Sequence, residues 1–64
     1  MNNSTDKTTE GVRVLVVDDE RAIRRFLQVS LTAHGHTVFE AANGREALDA
    51  VIAHHPDLII LDLG

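Results

Sequence analysis

With 64 residues the chain holds at most one small domain, and a core of that size is marginal without a staple of some kind. It has no Cys, which excludes disulfides, thiolate metal sites and thiol chemistry, and its net charge of -4 argues against nucleic-acid binding by this stretch of chain. No apolar run approaches the roughly 18 residues of a membrane span, no signal segment opens the chain, and the two aromatics, both Phe, make no stacking platform for bases.

Residues 1–11 are polar and rich in Asn, Ser and Thr. Such a segment buries too little surface to offset its ordering entropy and is expected to be a disordered leader. The fold should begin at Val12. Residues 12–17 (VRVLVV) read as a strand. Their lack of polar alternation suggests a strand covered on both faces, as in a parallel sheet. The run stops at three consecutive acids, Asp18, Asp19 and Glu20. Their mutual repulsion is costly unless solvent, a cation or function compensates.

A helix is expected over 21–34, with Ala22, Ile23, Phe26, Leu27, Ser30 and Leu31 as its inner stripe and Arg21, Arg24, Arg25 and Gln28 as its wet face. Glu20 and Arg24 have the spacing and order of a favourable i, i+4 pair. Gly35 is placed to stop the helix. Residues 37–41 (TVFEA) read as a second strand, and Glu40 suggests an exposed or edge position. Asn43 and Glu46 resemble a capping box for a second helix ending near His54 before Pro56, with Ala47, Leu48, Val51 and Ile52 as its apolar stripe. Residues 58–61 (LIIL) form the third expected strand, and it too ends at an acid, Asp62.

The pattern is β-α-β-α-β with short connections, an α/β class with right-handed crossovers and a parallel sheet. A helix on each face would explain why the first and third strands lack alternation. In open parallel sheets, sites lie beyond the carboxyl ends of the strands, where strand order reverses. If the first strand is central and the order is 2-1-3, Asp18, Asp19 and Asp62 would converge in one crevice. Three hard oxygen donors suit a hard cation such as Mg²⁺, and an Asp carboxylate can act as nucleophile towards a phosphoryl donor.

These residues carry a family resemblance. Val14 to Glu20 (VLVVDDE), Asn43 to Leu48 (NGREAL) and Pro56 to Leu63 (PDLIILDL) together resemble the receiver domain of two-component response regulators. Residues 21–27 (RAIRRFL) and 57–64 (DLIILDLG) look most like the Kdp-type regulators of potassium-transporter expression, in the OmpR/PhoB-like winged-helix branch. The resemblance covers 12–64 and implies the first half of a doubly wound, flavodoxin-like fold. It implies that Asp62 is the phosphoacceptor and that Asp19 holds Mg²⁺ directly, with Asp18 acting largely through water. Asp62 and the backbone carbonyl of Gly64 would complete the metal ligands. It further implies a sensor histidine kinase as phosphoryl donor, a cytoplasmic location, and a phosphoacceptor rather than an enzyme.

The family's strand-four Ser/Thr, strand-five Lys, aromatic switch residue and dimerisation face have no counterpart in this chain, nor has the DNA-binding effector domain. Phosphotransfer by the chain is therefore expected to be impaired. Its third strand, apolar and unpaired on its outer edge, is expected to self-associate, together with the uncovered helix faces. Two alternatives stand beside the receiver reading. One is a half-domain whose main property is that self-assembly. The other is an Asp-nucleophile phosphohydrolase, although haloacid-dehalogenase-like enzymes carry a DxD-type motif where this chain has Asp18-Asp19-Glu20.

Simpler roles compete at other residues. Asp57 reads as a turn residue after Pro56. His34, His36, His54 and His55 lack the i, i+4 spacing of a zinc site, and His34 and His54 suit helix C-termini. Asn43-Gly44 suits a helix cap better than a phosphate cradle. Arg24 and Arg25 are either a solvated face or, by resemblance, a kinase-docking surface.

Overall fold

The structure is a computed structural model that describes residues 11–62. The expected leader, apart from Gly11, and the Gly64 carbonyl lie outside the described residues. The elements are β1 (Arg13–Val17), α1 (Arg21–Ala33), β2 (Thr37–Ala41), α2 (Gly44–His54) and β3 (Leu58–Leu61). The three strands are parallel in the order β2-β1-β3, the order that the family resemblance implies. Val17 sits beside Ala41 on one side and Leu61 on the other.

β1 is the core. Val14, Leu15, Val16, Val17 and Ala41 are the fully buried apolar residues among those described, and neither helix contributes one. Leu15, Val17 and Ala41 face α2, packing against Phe39, Ala47, Ala50 and Val51. By alternation, Val14 and Val16 face the opposite side, where α1 lies against β1 and β2.

The helix ends follow local rules. Gly35, at φ 91°, closes α1 as a left-handed cap; its N–H donates to Thr32 O at 3.0 Å and the His36 N–H to Leu31 O at 3.1 Å. Asn43 Oδ1 accepts from the Glu46 N–H at 2.9 Å. The reciprocal bond closes one residue earlier than in a standard capping box: Glu46 Oε1 accepts from the Ala42 N–H at 2.8 Å. α2 ends at His55 in a left-handed conformation, φ 50°. Arg13 Nε donates to the His54 carbonyl at 2.9 Å, and Nη2 reaches the same oxygen. The guanidinium also lies 5.3 Å from the centre of the Phe39 ring, which stacks on His54 at 4.0 Å. These contacts pin the α2 C-terminus to β1 and β2.

One expectation fails at β3. Neither helix packs on β3, so Leu58, Ile59 and Leu61 are exposed. Its unbroken apolar character therefore does not reflect cover on both faces in this chain. The helix stripes are only partly covered, in keeping with the expected uncovered helix faces. Ile23, Phe26, Leu48 and Ile52 are exposed, while Leu27 and Leu31 of α1 and Ala47 and Val51 of α2 turn inward. Periodicity locates an apolar stripe, but packing decides how much of it is covered.

Candidate functional site

The carboxyl ends of β1 and β3 open into a cleft of about 290 Å³ lined by Val17, Asp18, Asp19, Ala42, Asn43, Gly44, Leu61 and Asp62. All three predicted aspartates line it. The sheet register brings them there: Val17 pairs with Leu61, and the Asp62 N–H donates to Val17 O at 3.1 Å, so Asp18 and Asp62 are next-door strand ends. The opposite wall comes from the start of α2, a contribution not anticipated from sequence, where Asn43-Gly44 has only a capping role.

Asp18 and Asp19 differ sharply in setting. Asp18 is 3% exposed and Asp19 is exposed. Each main-chain polar group of Asp18 is bonded: its N–H donates to Ala41 O at 3.1 Å, and its C=O accepts from Arg24 Nη1 at 2.7 Å. Its Oδ1 accepts from the Glu20 N–H at 2.8 Å, the i, i+2 bond of an Asx turn that leads the chain into α1. One carboxylate oxygen, Oδ2, remains for the cleft. Asp19 and Asp62 reach solvent and adjust more cheaply than the buried Asp18.

Arg24 departs from its expected place. It is not on the wet face and makes no ion pair with Glu20. Its side chain is 15% exposed, and its Nε pairs with Glu40 Oε1 on β2 at 3.2 Å. The i, i+4 spacing of Glu20 and Arg24 permits a surface pair, but the Asp18 carbonyl and Glu40 offer Arg24 two partners in a less wet setting. Arg24 is therefore mostly covered by these contacts, whereas Arg25 is exposed.

The histidines do not gather. His34 Nδ1 lies 2.8 Å from Ser30 O, and His54 stacks on Phe39. Asp57 behaves as a strand-entry residue: its N–H donates to Arg13 O at 2.7 Å, and its Oδ2 accepts from the Arg13 N–H at 2.9 Å. Among the described residues no three His, Asp or Glu side chains converge as a ready-made metal cluster. The donor chemistry of the cleft nevertheless fits a hard divalent cation: oxygen ligands alone, one anchored by the fold and two at solvent.

No described helix is long and apolar enough to cross a membrane. No solved structure matches the chain. A response regulator MprA of Mycolicibacterium vanbaalenii is 50% identical over 52 residues, 81% of this chain and 22% of that protein. A transcriptional regulatory protein KdpE of Mycobacterium tuberculosis is 51% identical over 51 residues, 80% of this chain and 23% of the relative. A probable transcriptional regulator ycf27 of Porphyridium aerugineum is 47% identical over 51 residues, 80% of this chain and 21% of the relative. The chain thus spans about a fifth of the length of these curated relatives. The family model for the response regulator receiver domain matches residues 14–64, which takes in both acidic strand ends. With that match, the parallel 2-1-3 sheet and the acids at its carboxyl edge, the chain belongs to the response regulator receiver family.

Proposed function

We propose that the cleft is a phosphoryl-accepting site with Asp62 as the acceptor. The observation that carries this reading is the arrival of Asp18, Asp19 and Asp62 in one cleft from two adjacent strand ends. Asp19 and Asp62 would hold Mg²⁺, Asp18 would serve it through its remaining oxygen or a water, and the Gly64 carbonyl would add a further ligand. Bound there, the ion offsets the negative charge of an incoming phosphoryl group. The acceptor step is a displacement at phosphorus. An Asp62 oxygen forms the new O–P bond while the N–P bond of a phosphohistidine breaks, and the imidazole nitrogen keeps the electron pair and takes up a proton. The donor is then a sensor histidine kinase. The parent protein is a cytoplasmic transcriptional regulator that reaches DNA through an effector domain outside this chain.

Incubation with acetyl phosphate and Mg²⁺, read by intact mass, tests this. At most one phosphoryl group per chain is expected, at low occupancy, abolished by Asp62→Asn and by chelation. Repeated turnover of a phosphate ester, also lost in Asp62→Asn, would instead favour a phosphohydrolase.

The exposure of Leu58, Ile59 and Leu61 on an edge strand supports a second property, self-association along β3. A two-fold axis normal to the sheet would pair β3 with its copy antiparallel. Sedimentation should show concentration-dependent mass that falls towards the monomer in Ile59→Lys. A compact monomer at high concentration would rule this out.

A further inference from the structure

We propose that Arg24, held in place by Glu40, is a positioning residue for the cation site, acting through Asp18. The inference rests on the reading that the acidic cleft holds a divalent cation, and it goes beyond the acids themselves. Asp18 is held by three bonds: its N–H donates to Ala41 O, its Oδ1 accepts from the Glu20 N–H, and its C=O accepts from Arg24 Nη1. The Glu20 bond is local to the turn, and the Ala41 bond continues the β1–β2 ladder. Arg24 is the group that ties the main chain of Asp18, at the end of β1, to both α1 and β2.

The guanidinium does this with two different edges. Nε faces Glu40 and Nη1 faces the Asp18 carbonyl, so one planar group spans the gap between a strand edge and a turn. Its side chain is 15% exposed, and that of Glu40 is 38% exposed. Glu40 therefore sets where Arg24 sits, and Arg24 sets where the Asp18 peptide sits. The orientation of Asp18 fixes the one oxygen it still offers to the cleft. A carboxylate held in this way meets a cation with little reorganisation.

Charge and geometry predict opposite outcomes, which makes the inference testable. Arg24 is a cation near an acidic cleft. If it acted only through its charge, removing it would tighten Mg²⁺ binding. If it positions Asp18, removing it loosens binding. Mg²⁺ affinity is measured on the 64-residue chain by calorimetry, alongside thermal unfolding, for wild type, Arg24→Ala, Arg24→Lys, Glu40→Gln and Asp19→Asn. Arg24→Ala should weaken Mg²⁺ binding by about five- to tenfold. Arg24→Lys keeps the charge but cannot bridge both partners, so it should restore less than half of the loss on a logarithmic scale.

Glu40→Gln, at a partly exposed site, should leave the fold intact and weaken binding less than Arg24→Ala does. Arg24→Ala should add little to its effect in the double variant. Should Arg24→Ala fail to fold, Arg24→Lys and Glu40→Gln decide. Unchanged or tighter binding in Arg24→Ala, full rescue by Arg24→Lys, or no effect of Glu40→Gln overturns the positioning role. Wild-type binding that is lost in Asp19→Asn shows that the cation reading stands even where the Arg24 inference falls. No binding by the wild-type chain overturns both.

Discussion

The two edges of the sheet are built differently. β2 is an edge strand that carries its own protection: Glu40 pairs with Arg24, Phe39 stacks on His54 and meets the Arg13 guanidinium, and Ala41 closes against α2. β3 is an edge strand of four apolar residues, with Leu58, Ile59 and Leu61 about half exposed. Sheets blunt true edges with charge and alternation, as β2 does. β3 is composed instead like β1, which has a neighbour on each side and cover on each face. The contrast shows that strand composition records an environment, and that the environment written into β3 is an interior one.

The comparison is broken most completely by an attack on the strand both edges share. Leu15 is fully buried between them, and Leu15→Ala should cost about 3 to 5 kcal/mol, which would unfold a domain this small in chemical denaturation. Paired truncations of the two edges sharpen it. Phe39→Ala removes the stack on His54 and the seat of the Arg13 guanidinium, and should cost about 2 kcal/mol. Ile59→Ala, measured at concentrations where the chain is monomeric, should cost less than about 1 kcal/mol, because its side chain is half exposed already. Equal losses at Phe39 and Ile59 would show that the edges are not distinct.

Much of the site was legible because it depends on local patterns and on a general rule of parallel sheets. Two valine- or isoleucine-rich runs that each stop at acids, separated by helix signals, place Asp18, Asp19 and Asp62 together once β1 is central. Asn43 and Gly35 were legible for the same reason, since caps are written within four or five residues. Arg24 was not. Its spacing from Glu20 suggests a surface pair, and only the side-by-side placement of β1 and β2 brings Glu40 and the Asp18 carbonyl within its reach. The Arg13–Phe39–His54 arrangement joins three elements and leaves no local trace. Uncovered helix faces were anticipated, but which stripe residues they would take in was not, because a stripe shows which residues avoid water without showing what meets them.

The aspartates of the cleft are 43 and 44 residues apart in sequence and are neighbours only through the pairing of β1 with β3. In the unfolded chain Asp62 is far from the other two, so the repulsion between the strand ends burdens the native state alone. Anything that relieves it is linked to folding: a cation bound in the cleft, as proposed, would raise the melting temperature with its concentration, and its removal would lower it. Because the buried core of the described residues is little more than one strand, occupancy of the cleft and integrity of the fold would then be the same equilibrium seen from two sides.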